Sequence, residues 1–248
     1  MVKVVMAGGG TAGHVNPLLA TAVQLRESGA EVVVLGTKSG LEADLVPAAG
    51  FPLIEIPRVP LPRRPSLAFF TLPGRFADAV KRCAQALEGA DVLVGFGGYV
   101  STPAYIAAKR AGVPIVIHEQ NAYPGMTTKA LAKHAECVML AVEDAKKYLD
   151  RKDNCVFTGN PVRVSVLQAE REAARKALNL DDRPLVLSFG GSLGAAALNK
   201  AAAYMLGESA KEKKYQHIHG YGQHDRKIPR RSARSGCKGR RKSADSHA

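Results

Sequence analysis

The apolar and polar positions of this chain follow two alternating periods. Residues 2–7 form an apolar run broken only by Lys3, and similar short runs rich in Val, Leu and Ile recur at 31–35, 53–56, 92–96, 113–117, 137–140 and 185–189, with a last one at 215–219. Short continuous apolar runs bounded by glycine or proline predict strands covered on both faces. Between them the spacing becomes helical. Leu18, Leu19, Ala22, Val23 and Leu25 lie along 16–27, and Gly29 follows as a helix stop. Further helices are predicted over 41–49, about 66–87, 103–111, 127–133, 170–178 and 195–206. Strands alternating with helices predict an α/β fold built on a parallel, doubly wound sheet.

The pattern divides the chain. Residues 1–158 read as one complete Rossmann-like domain, and Thr158-Gly159-Asn160-Pro161 as its boundary. Residues 159–223 start a second domain of the same kind. Two strands are too few to complete such a sheet, so this domain is expected to be partial. After Gln223 no apolar face remains. Residues 224–248 hold nine Lys/Arg against two Asp, out of a formal net charge of +13 for 248 residues. A disordered basic tail is expected there, of the composition a frameshifted gene end would have. The body is more moderately basic, which suits anionic small molecules or an anionic membrane surface. Specific nucleic-acid recognition is not expected.

Cys83, Cys137, Cys155 and Cys237 show no close pairing, so reduced thiols are expected rather than a disulfide framework or a zinc site. The N-terminus enters a strand directly, without the pattern of a signal peptide. No apolar run has the length of a membrane span. The expected place is cytoplasmic, with any membrane contact peripheral.

Candidate chemistry sits in the glycine turns. Gly8-Gly9-Gly10-Thr11-Ala12-Gly13-His14 contains GxGxxG between a strand and a helix. Such a turn lets backbone approach a ligand, and the helix N-terminus favours a negative group. A nicotinamide cofactor would need an acidic residue at the end of the second strand. That strand ends Leu35-Gly36-Thr37-Lys38, which argues against it. His14 is either a surface or capping histidine or a general base, since a helix N-terminus disfavours a charged ring. Gly95-Phe96-Gly97-Gly98-Tyr99-Val100-Ser101 is either a plain strand-to-helix connection or a ligand turn. His118-Glu119-Gln120-Asn121 is either a solvated loop or a ligand site at a carboxyl strand end. Gly159-Asn160-Pro161-Val162-Arg163 could be a linker only. Gly190-Gly191-Ser192-Leu193-Gly194 is a third candidate phosphate turn.

The order and spacing of these motifs, with Gly36-Thr37-Lys38-Ser39-Gly40-Leu41-Glu42-Ala43-Asp44-Leu45-Val46 among them, resemble the MurG family of GT-B glycosyltransferases. The resemblance runs from Met1 to about Gln223, with Ala12 where many members have glycine. It implies a GT-B fold and inverting transfer of GlcNAc from UDP-GlcNAc to the muramoyl 4-hydroxyl of lipid I, at the cytoplasmic side of the bacterial membrane. It implies His14 as base, with Glu119 as a competitor for the role. Thr11, Ala12, Gly13, Tyr99 and Asn121 would contact substrate, and Arg163 and Ser192 the nucleotide diphosphate. No cofactor is implied, and no essential metal is expected without an acidic cluster such as DxD. The family continues for about another hundred residues that carry further uridine and sugar contacts. A lipid-binding fragment without activity, or a GT-B enzyme for another lipid acceptor, are therefore the alternatives.

The segment from Arg58 to Lys81 mixes Arg58, Arg63, Arg64, Arg75 and Lys81 with Leu61, Leu67, Phe69, Phe70, Leu72 and Phe76. Either its apolar residues are the core face of a helix, or Leu67, Phe69, Phe70, Leu72 and Phe76 enter a membrane surface. Adjacent Phe69 and Phe70 point in different directions on a helix, which favours the membrane.

Overall fold

The structure is a computed structural model that describes residues 1–59, 68–191, 194–212 and 214–222. Leu67, Ser192 and the basic stretch 224–248 lie outside the described residues, as do the side chains of Phe69 and Phe70. The chain divides into two compact units, Met1–Gln168 and Ala169–Ala248. The division falls after the Thr158–Pro161 stretch expected to mark it.

The first unit is built on seven parallel strands: β1 (Lys3–Ala7), β2 (Glu31–Gly36), β3 (Leu53–Glu55), β4 (Val92–Gly95), β5 (Ile115–Glu119), β6 (Cys137–Leu140) and β7 (Cys155–Phe157). Their order is β3-β2-β1-β4-β5-β6-β7. The direction of winding reverses between β1 and β4. In open α/β sheets the crevice at such a reversal, beyond the carboxyl strand ends, is where ligands bind.

Side chains alternate along β1, and both of its faces are covered. Val4 and Met6 join Val15, Leu18, Leu19 and Ala22 of helix α1 (Ala12–Glu27), while Val5 and Ala7 join Ala104, Tyr105 and Ala108 of helix α4 (Ser101–Ala111). This is why the run 2–7 shows no polar alternation. Helix α2 (Leu41–Ala48) contributes Val46 to the α1 side. Helix α3 (Ala68–Ala86) packs on α4 and brings Val80, Cys83 and Ala86 into the other core. Burial pushes the Cys83 thiol up to about 12, so it stays protonated and inert. Cys137 and Cys155 are free as well.

Several expectations need correction. Helix α1 starts at Ala12, ahead of the expected Asn16, because Thr11 is already extended and serves as its N-cap residue. Gly13 and His14 are thus helical. Strand β5 reaches Glu119, so His118 and Glu119 are strand residues, 1% and 3% exposed, rather than members of a solvated loop. Strand β7 and the 3-10 turn Glu143–Tyr148 had no clear periodic signal. Helix α5 (Met126–Leu131) is shorter than expected because it passes into a 3-10 turn at Ala132–His134. The short helix α6 (Val164–Leu167) closes this unit.

The second unit holds helix α7 (Arg171–Ala177), strand β8 (Leu185–Phe189), helix α8 (Ala196–Glu212) and strand β9 (Gln216–Gly220). The two strands pair in parallel. Among the described residues of this unit only Asn199, Ala202 and His217 are buried, while Leu187 and Phe189 are exposed.

Candidate functional site

The loops that follow β1, β4 and β5 lie along one edge of the sheet, because those strands are neighbours. The first loop is Gly8-Gly9-Gly10-Thr11. A Cβ on Gly8 would stand 2.9 Å from Leu18 Cδ1, and Gly10 has a φ of +86°. The second loop crosses it so closely that a Cβ on Gly98 (φ +82°) would stand 2.3 Å from the Gly9 carbonyl oxygen. Glycine is needed in both loops because their backbones touch.

His14 stands in the first turn of α1 with its ring half-buried. Nδ1 is 3.0 Å from the Gly9 carbonyl oxygen and 3.1 Å from Thr11 Oγ1. A carbonyl only accepts, whereas a hydroxyl both donates and accepts. Protonation on Nδ1 is the tautomer that satisfies both neighbours, and the other nitrogen then carries the lone pair. That nitrogen lies against Gly97: a Cβ there would be 3.2 Å from Nε2. Pro17, inside α1, supplies no N–H to the Gly13 carbonyl, which leaves another acceptor in the same turn.

Glu42 was read only as part of the second helix, yet it is wholly buried. Its Oε2 accepts the Gly10 N–H at 3.0 Å, and its Oε1 accepts the Thr37 N–H at 3.1 Å and the Thr37 hydroxyl at 2.8 Å. Tyr99, a predicted contact residue, reaches the same carboxylate at 3.5 Å and Thr37 Oγ1 at 3.2 Å. Its ring covers Gly10, and the Arg58 guanidinium lies 5.2 Å from the ring centroid. One carboxylate thus joins the loops after β1 and β2 to the residue after Gly98.

Glu119 is committed within its own loop. Oε1 accepts the Asn121 N–H at 3.0 Å and the Asn121 side-chain amide at 2.8 Å, and Oε2 accepts the Gly125 N–H at 3.0 Å. These bonds fix the turn that carries exposed Asn121. Neighbouring His118, stacked on Phe96, donates from Nε2 to the Gly159 carbonyl at 3.1 Å and accepts from Gln120 at Nδ1 at 3.0 Å. Burial lowers its pKa, and the Gly159 bond and the Glu119 charge offset this only in part. Sequence reasoning named His118 only as part of the His118–Asn121 stretch and gave it no role of its own. His118 ties the loop after β5 to the segment that leads to Arg163.

Thr11, Ala12, Gly13, His14, Tyr99, Glu119 and Asn121 are therefore gathered on and beside the adjacent loops at the carboxyl ends of β1, β4 and β5. Arg163 is exposed at the N-cap of α6, and Ser192 lies outside the described residues. Among the described residues no three His, Cys, Asp or Glu side chains could hold a metal ion together. In the second unit, Ser188 bridges His217 and His219 at 2.8 Å each, and His219 meets Asn199 at 2.9 Å. This network stitches β8, β9 and α8 together.

The family model for the glycosyltransferase family 28 N-terminal domain matches residues 4–140. Two similar curated proteins carry the same name, UDP-N-acetylglucosamine–N-acetylmuramyl-(pentapeptide) pyrophosphoryl-undecaprenol N-acetylglucosamine transferase. The one from Cutibacterium acnes is 48% identical over 81% of this chain and 56% of its own length. The one from Frankia casuarinae is 47% identical over 82% of this chain and 56% of its own length. The chain thus spans a little over half the length of these relatives. Among solved structures, Acinetobacter baumannii MurG aligns with a TM-score of 0.63 at 29% identity, over 90% of this chain and 59% of that one. Anabaena Alr3699/HepE in complex with UDP and glucose aligns with a TM-score of 0.61 at 15% identity, over 88% and 61%, which is a likeness of fold.

Proposed function

The chain belongs to glycosyltransferase family 28, and from that premise we propose that it forms the acceptor-side part of an inverting transferase. The reaction moves GlcNAc from UDP-GlcNAc to the muramoyl 4-hydroxyl of lipid I and gives lipid II. The names of the curated relatives support this choice of donor and acceptor. The observation that carries the mechanism is the Gly9 carbonyl on His14 Nδ1. It orients the ring with an unprotonated Nε2 at the carboxyl edge of the sheet, where a base must stand.

The acceptor hydroxyl gives its proton to His14 Nε2 as its oxygen attacks the anomeric carbon. The bond to UDP breaks on the opposite face, and its electron pair leaves with the diphosphate. Arg163 would take up that charge, since arginine offers paired donors to phosphate oxygens; Ser192, expected from the sequence to contact the diphosphate, lies outside the described residues. Glu119, with both oxygens already accepting, holds Asn121 toward the sugar and leaves the base role to His14.

The same reading places the protein on the cytoplasmic face of an anionic membrane, where the polyprenyl-linked acceptor lies. No helix among the described residues is long and apolar enough to cross a membrane. The contact is assigned to the segment 58–81. Phe76 is half-buried against the core, which takes it out of that contact, and the residues proposed to insert are Leu67, Phe69, Phe70 and Leu72.

The test uses this chain joined to the C-terminal part of a family member, with UDP-GlcNAc and a lipid I analogue. Transfer is expected, and His14→Ala should lower kcat by about a hundredfold or more with little change in donor affinity. Near-normal kcat in the variant removes His14 from the mechanism.

A further inference from the structure

Glu42 lies outside the reaction as just described, yet its placement is costly. A carboxylate with no exposed surface and no cationic partner among the described residues is held entirely by neutral donors. The surrounding glycines are shaped around it. A Cβ would come within 2.6 Å of its carboxylate at Gly9, 2.1 Å at Gly40, and 2.7 Å of its Cγ at Gly36. Burying such a group without an opposite charge is unfavourable, so its bonds must fix something that matters.

What they fix is one peptide group. The N–H that Glu42 Oε2 accepts belongs to Gly10. The carbonyl of that same Gly9–Gly10 peptide accepts from His14 Nδ1. A charged acceptor on the N–H polarises the amide and makes its carbonyl oxygen a stronger acceptor. The Gly98 backbone passes close to that oxygen, so near that a Cβ there would stand 2.3 Å from it. We propose that Glu42 is the positioning residue for His14, acting through the Gly9–Gly10 peptide to hold the ring as the Nδ1–H tautomer. The peptide relays what a carboxylate in direct contact with a histidine does elsewhere, namely fix ring orientation and leave Nε2 free. Thr37 and Tyr99 anchor the other oxygen of Glu42.

The proposal deepens the reading of His14 as base and rests on it for its purpose. Its test reads the ring itself, so failure of the transfer assay and failure of this relay are separate results. Nitrogen-15 NMR of the whole chain, above the ordinary imidazole pH range, reports the His14 tautomer. Wild type should be mainly Nδ1–H. In Glu42→Gln, or in Glu42→Asp where the carboxylate is pulled back from Gly10, the Nδ1–H population should fall by about twofold or more. Thr37→Val, which removes one donor to Glu42 and leaves its bond to Gly10, should keep the wild-type spectrum. A mainly Nε2–H ring in wild type overturns the proposal. So does an unchanged tautomer in whichever Glu42 variant folds, or a Thr37→Val spectrum that shifts as much as theirs, since that would mark general packing of the cluster.

Discussion

The polar residues at the edge of the sheet divide by what their hydrogen bonds leave over. Both oxygens of Glu119 accept from the turn that follows it, and both oxygens of Glu42 accept from Gly10 and Thr37, whereas His14 keeps one nitrogen unengaged. His118 has both nitrogens in use and is held neutral, its pKa lowered first by burial. In the unfolded chain its ring takes a proton below the ordinary value of 6.5, and the folded ring resists it. The stability this contributes is therefore complete above that value and is lost as pH falls through it. His118→Phe would preserve stacking on Phe96 but remove the buried donor to the Gly159 carbonyl, leaving it Thr158 Oγ1 at 3.2 Å, and take one acceptor from the Gln120 amide, leaving it the Phe96 and His118 carbonyls. It should cost about 1–3 kcal/mol in neutral buffer, and its denaturation midpoint should fall less between about pH 7.5 and about pH 5 than that of wild type. Urea unfolding at several pH values measures both. Equal slopes would mean that His118 titrates normally in the fold.

Elements are set here by their ends. The start of α1 at Ala12 puts His14 one turn from Gly9, and the turn after β4 passes over the same carbonyl. Gly98→Ala should therefore damage two loops together. Positive φ alone costs a residue with a side chain about 1–2 kcal/mol, and the clash with Gly9 oxygen adds to it. Loss of at least about 2 kcal/mol is expected, with disturbance of the His14 ring signals by NMR. A variant as stable as wild type with unmoved His14 signals would refute this account of the loop crossing. Helix α3 faces two ways, with Val80 and Cys83 in the core and Arg75 and Lys81 exposed. For its amino-terminal part, Phe69→Ser with Phe70→Ser should weaken binding to anionic vesicles while circular dichroism stays constant. Basic residues contribute about 1 kcal/mol each near such a surface, and apolar insertion adds to it. The comparison needs a chain cut after Gln223, since the basic stretch is expected to bind such vesicles by itself. Equal binding by the folded pair would exclude this segment as the contact.

At the scale of the molecule, the two units are unequal. The first closes two cores around a complete sheet. The second pairs two strands and leaves Leu187, Phe189 and Tyr204 exposed, within a chain that spans 56% of its relatives. Donor contacts expected beyond this span are each worth about 1.5–3 kcal/mol when charged or bidentate. The chain as it stands should bind UDP-GlcNAc more weakly than micromolar, and joining it to a family C-terminal part should restore affinity. Calorimetry on both proteins makes the comparison. Micromolar binding by the chain alone would place the donor site within residues 1–248.

The alternation of apolar runs with helical spacing was enough to establish a parallel α/β sheet, because a strand covered on both faces can tolerate few polar positions. Glycines between strand and helix marked the loops, since close backbone approach excludes side chains. That much was local and legible, as was the placing of His14, Tyr99 and Asn121 at those turns. Strand β7, only Cys155–Phe157, was not, because three residues carry no period and its pairing with β6 came from tertiary contact. Nor could the sequence separate Glu42 and Glu119 from solvated acids. Their meaning lies in which backbone N–H groups face them: for Glu119 those of the turn that follows it, and for Glu42 that of Gly10, on a loop brought near by strand order. The choice between His14 and Glu119 as base was likewise open in the sequence, and the bonds Glu119 makes to Asn121 and Gly125 are what favour His14 in the proposed mechanism.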